Sequence, residues 1–106
     1  MITVLIVSPP RPELEQVEGR DPSIEILFAR DAEEALEKLG RNRRIDAVLL
    51  LEEDPSATAA EVLEDNPAAP PLFAPLENRA IQGVRPLPPA SPPDLLARIL
   101  VALSAS

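Results

Sequence analysis

The sequence predicts a three-layer α/β/α domain whose middle layer is a five-stranded parallel sheet, and three observations lead there. Short apolar runs alternate with helix-permissive segments along the chain, the pattern of repeated strand-helix-strand units. The connections between them are short, which favours right-handed crossovers between parallel neighbours. The strongest runs, Ile2–Val7 and Ile45–Leu51, are apolar on successive residues, as in strands covered on both faces. A chain of 106 residues has room for one such core, so residues 1–106 are read as a single domain.

Each element has its own local reason. Ile2–Val7 (ITVLIV) is rich in β-branched residues and stops at Ser8-Pro9-Pro10, which makes a first strand. Pro12–Val17 has room for a turn or two of helix before Gly19 and Pro22 close it, so the first helix is expected to be short. Ser23–Ala29 (SIEILFA) suits a second strand, and Glu25 within it suits a sheet edge. Asp31 stands three residues before Glu34 in the capping-box spacing; Ala35, Leu36 and Leu39 then mark one helical face, and Gly40 is expected to stop the helix. Ile45–Leu51 is the most hydrophobic run and fits a central strand, ended by Glu52-Glu53-Asp54-Pro55.

The second half is rich in proline, yet its apolar pieces argue for a rigid, irregular course rather than a linker. Ser56–Asp65 reads as a helix capped by Asp54 or Ser56 and stopped by Asn66-Pro67. A fourth strand is expected around Leu72–Ala74, a short fourth helix within Glu77–Gln82, and a weak fifth strand near Val84–Leu87. Ser91-Pro92-Pro93-Asp94 places a hydroxyl at an N-cap, prolines where a missing N–H costs nothing, and a carboxylate three residues on. In the helix after this cap, Leu96, Ile99, Leu100 and Leu103 form one apolar stripe.

Composition excludes several function classes. Hydrophobic residues make up 45% and aromatics only 2%, so the core must be aliphatic. A net charge of −8, with no basic cluster beyond Arg41, Arg43 and Arg44, disfavours nucleic acid and anionic membrane as partners. No apolar run approaches the roughly 20 residues of a bilayer span, and the opening stretch lacks a basic region and cleavage site, so a cytoplasmic protein is expected. With neither Cys nor His, disulfides, thiolate metal sites and histidine acid-base chemistry are excluded together.

Four stretches resemble the receiver domains of response regulators. They are Ile2–Val7 as the opening strand, Ala29-Arg30-Asp31-Ala32-Glu33-Glu34-Ala35-Leu36 as the second strand-to-helix passage, Asp46-Ala47-Val48-Leu49-Leu50-Leu51 as the third strand, and Ser91–Ile99 as the last helix. The resemblance spans nearly the whole chain and implies the strand order 2-1-3-4-5, with the first and fourth helices shortened. It also implies where a phosphoryl-accepting site would lie, and the chain departs from the family there. The acidic pair that holds Mg²⁺ falls on Ser8 and Pro9, neither a carboxylate. The phosphoacceptor Asp falls on Leu51, which has no nucleophilic oxygen. The switch Ser/Thr falls on Leu76 or Pro75, and the phosphate-binding Lys on Pro88, before Pro89.

Together these losses remove attack, charge neutralisation and readout. The resemblance therefore implies a non-enzymatic pseudo-receiver without metal or cofactor, a protein-protein interaction module of two-component-type signal transduction. Its partner would be another protein or a second copy, docking on the fourth-to-fifth-element face with Leu87, Leu95, Ile99 and Leu103 as its residues. Receivers often carry a cis Lys-Pro peptide where this chain has Pro88-Pro89, so a cis bond stands there beside the ordinary trans one.

Two other readings stay open. Glu52, Glu53 or Asp54 would accept a phosphoryl group irregularly with Mg²⁺, against their plainer role as a solvated loop and helix cap. A cleft rimmed by Ser8, Leu51, Leu76 and Pro88 would bind a small ligand, the usual place for one in an open α/β sheet. Arg41, Arg43 and Arg44 are read as complementing a helix C-terminus rather than as a partner site.

Overall fold

The computed structural model describes residues 2–9, 24–41, 44–52, 54–66, 69–77 and 80–104. In chain order they form β1 (Ile2–Val7), β2 (Ile24–Ala29), α1 (Ala32–Arg41), β3 (Ala47–Leu50), α2 (Pro55–Asp65), β4 (Leu72–Pro75), β5 (Val84–Leu87) and α3 (Pro92–Ser104). The five strands make one sheet in the order β2-β1-β3-β4-β5, and all four pairings are parallel. This is the expected three-layer α/β/α architecture and strand order. The short helix expected over Pro12–Val17 lies outside the described residues.

Strand alternation divides the core in two. Leu5, Val7, Val48, Leu50, Leu72, Ala74 and Val84 point to one face, where they meet Ala35 and Leu39 of α1 and Ala59 and Val62 of α2. Val4, Ile6, Ala47, Leu49, Phe73 and Leu87 point to the other, covered by Leu95, Leu96 and Ile99 of α3. β3 is buried at every residue, which is why its run shows no polar alternation. β2 lies at an edge with Glu25 exposed, as its single charge suggested.

The caps reflect the local chemistry. The Asp31 carboxylate accepts from the Glu34 amide at 2.9 Å and starts α1. The Asp54 carboxylate accepts from the Ser56 amide at 3.2 Å and from the Ser56 hydroxyl, with Pro55 in the first helical turn. At α3 the Ser91 hydroxyl donates to Asp94 at 2.9 Å, while Pro92 and Pro93 occupy positions with no amide to satisfy. Surface pairs at helical spacing line α1: Arg30–Glu34 at 3.2 Å, Lys38–Glu34 at 3.9 Å and Arg41–Glu37 at 2.8 Å. Exposed as they are, each adds only a few tenths of a kcal/mol, about 0.3–0.5.

Three expectations need correction, and one open alternative is decided. Gly40 does not end its helix: α1 runs to Arg41, and Gly83 is the described glycine with positive φ. No helix forms among the described residues of Glu77–Gln82; the Val84 amide instead donates to the Ile81 carbonyl at 3.1 Å, closing a turn whose third residue, Gly83, has φ +80°. That φ is what a type II turn demands at this position, and glycine meets it without steric cost. Of the two isomers left open for the Pro88-Pro89 peptide, the trans one is present. Finally, the buried stripe of α3 is Leu95, Leu96 and Ile99, with Ala102 and Leu103 half-buried on the same side.

Candidate functional site at the strand ends

In a parallel sheet the C-terminal strand ends lie on one rim, and the order reversal between β2-β1 and β1-β3 opens a crevice beside β1 and β3. Two amides draw the chain together there. The Ser8 amide donates to the Ala29 carbonyl at 2.9 Å, and the Leu51 amide to the Val7 carbonyl at 2.8 Å. Since Val7 pairs with Leu50, Ser8 and Leu51 are the next residues along each strand and lie beside one another.

Neither position offers reactive chemistry. Ser8 is buried, and its hydroxyl donates to the carbonyl of Pro9 at 2.9 Å. Leu51 is buried in the cluster beneath α3. Leu76, tied to β5 by its amide donating to the Leu87 carbonyl at 3.1 Å, is buried in the opposite cluster, under α1 and α2. Pro9 and Pro88 are exposed. Thus Ser8 and Leu51 come together, while Leu51 and Leu76 turn to opposite faces of the sheet.

The acidic stretch after β3 divides into separate roles. Asp54 caps α2. Glu53 lies outside the described residues. Glu52 is half-buried, and its Oε1 is enclosed with no hydrogen-bond partner. Among the described residues no three Asp or Glu side chains converge as a metal site would require. The orphaned Glu52 oxygen had no signal in the sequence, where three successive acids read as one solvated loop.

The residues expected on a docking face are mostly internal. Leu87, Leu95 and Ile99 are core, and Leu103 is half-buried against it, so they hold α3 to the sheet. Each such buried aliphatic side chain contributes about 1.5–3 kcal/mol by leaving water. The Arg85 guanidinium lies over the Phe73 ring, 5.7 Å from its centroid, and extends this packing toward the β5 edge. The outward side of α3 instead carries Ala97, Val101 and Ser104, all exposed.

No helix among the described residues is long and apolar enough to cross a membrane. Comparison with known families finds no family model that matches the chain, and comparison with characterised proteins finds no match either. What stands on the geometry is a flavodoxin-like α/β fold of order 2-1-3-4-5 in which Ser8, Leu51 and Leu76 at the strand ends are buried.

Proposed function

We propose that this chain is a pseudo-receiver, a cytoplasmic protein-interaction module of two-component-type signalling that does not accept a phosphoryl group. The observation that carries the reading is Leu51, buried where β3 ends beside Ser8, at the place where a phosphoacceptor would need an exposed carboxylate. Ser8 and Pro9, Leu76 and Pro88 agree with it, since none supplies a metal ligand or a cation for a phosphate. With no switch to throw, the interaction surface is set by packing alone.

The test is incubation of the chain with acetyl phosphate and Mg²⁺, and separately with beryllofluoride and Mg²⁺, followed by intact-mass and melting measurements. No adduct and no Mg²⁺-dependent shift in melting are expected. An acid-labile adduct of one phosphoryl mass would sink the reading.

One observation favours a second reading. A buried carboxylate oxygen without a donor, as at Glu52, is where the donor group or cation of a small ligand would sit. On that reading Glu52→Gln abolishes a ligand-induced or Mg²⁺-induced melting shift that the parent chain shows. A parent chain that shows no such shift removes it.

A further inference from the structure

We propose that a second copy of this chain packs on the outward face of α3, antiparallel to it about a two-fold axis near Ala97. The inference rests on the interaction-module reading and names its surface and partner. A surface helix ordinarily turns a charged face to water. The other helices do so: α1 shows Glu33, Glu37 and Arg41, and α2 shows Glu61, Glu64 and Asp65. On α3, exposed Ala97, Val101 and Ser104 recur at helical spacing, flanked by half-buried Pro93 and Leu100, and none of the five is charged. Val101 is 69% exposed, the one large aliphatic side chain so exposed among the described residues.

Charge says why the occupant is a second copy. The chain carries −8, and the charged residues that α2 exposes, Glu61, Glu64 and Asp65, are all acids, so two copies meeting through that face of α2 would repel. α3 carries one acid, Asp94, and one base, Arg98, and sums to zero. Both flank the apolar stripe on the same side, four residues apart. An antiparallel two-fold keeps that flank of one helix beside the same flank of the other. With the axis at Ala97, Pro93 stands level with Val101 of the second copy, and Asp94 stands about 3 Å along the axis from its Arg98. The geometry thus forms two equivalent Asp94–Arg98 pairs, one on each side of the axis, against one Arg98–Arg98 approach across it at the same axial separation, while Ala97 lets the helices approach closely. Arg98 pairs with no carboxylate among the described residues, so it is available. A parallel pair would put the charged flanks on opposite sides and form neither pair.

The patch is one helix of 13 residues, about 20 Å long, smaller than the standard interface, so the dimer is a weak one. Sedimentation of the full chain from micromolar to millimolar concentration is the experiment, with melting curves beside it to confirm folding. Reversible dimerisation is expected, lost in Val101→Glu. Asp94→Arg alone and Arg98→Asp alone should each raise the dissociation constant about tenfold, since each places like charges together twice. An equimolar mixture of these two variants should associate at least as tightly as the parent, because mixing restores both pairs and removes the Arg98–Arg98 approach. A parent chain monomeric throughout overturns the proposal, as does a dimer indifferent to Val101→Glu or a mixture no tighter than its components. A monomer that forms no phosphoryl adduct would remove this dimer and leave the pseudo-receiver reading in place; an adduct would do the reverse.

Discussion

Gly83 is the position where a single added methyl group should do the most damage per atom. It closes the turn into β5 at φ +80°, a conformation that costs an L side chain roughly 1–2 kcal/mol. A Cβ built there would overlap Cδ1 of Leu63, which is half-buried and packed on the α1/α2 side of the core. The end of the Leu63 side chain must therefore shift, adding roughly 1 kcal/mol of overpacking. Gly83→Ala is expected to destabilise the domain by about 2–3 kcal/mol in all. For a domain near this size that lowers the melting temperature by roughly 10–25 °C. Thermal and urea unfolding followed by circular dichroism would measure it. Gly40→Ala is the internal control: the residue lies within α1 with nothing within 4 Å of an added Cβ, so alanine should stabilise by about 0.5–1 kcal/mol. The Leu63→Ala background separates the two causes, because there the steric part of the Gly83→Ala cost vanishes and only the backbone part survives. If Gly83→Ala melts within about 2 °C of the parent, the turn geometry is wrong and the reasoning fails with it.

Other substitutions test the remaining structure. Ile99→Ala, which empties a wholly buried site between α3 and the sheet, should cost about 2–5 kcal/mol in urea unfolding. Asp31→Ala frees the Glu34 amide and should cost about 1 kcal/mol, with Asp31→Asn losing less. Glu37→Gln, which breaks the exposed pair with Arg41, should change stability by under about 0.5 kcal/mol, and that small change should shrink further in high salt.

The strands were legible in the sequence because both faces of the sheet are covered, so β3 reads as an unbroken run of Ala47-Val48-Leu49-Leu50. The helix starts were legible because each cap is written in adjacent residues: Asp31 with Glu34, Asp54 with Pro55, Ser91 with Pro92. Helix ends were harder. Gly40 looks like a stop, but a glycine ends a helix only by adopting a left-handed conformation, which its identity permits without requiring. The stripe on α3 was misplaced because every residue from Leu95 to Leu103 except Arg98 is apolar, so periodicity alone leaves the buried direction open. At the rim, counting along the strands located Ser8 and Leu51 side by side. The enclosed oxygen of Glu52 was invisible, since burial of one atom depends on neighbours distant in the chain.

The last strand bears on how far such a sheet can grow. In β5 the Leu87 carbonyl faces β4, so the residues facing away are Val84 and Pro86. The Val84 amide is already engaged by Ile81, and Pro86 has no amide hydrogen. The outer margin of β5 therefore presents no N–H to an incoming strand. A strand added along β5 would find carbonyls to donate to but no amide to accept from, about half of an ordinary ladder. Of the two margins of the sheet, β5 is thus the one that its own sequence protects against strand addition.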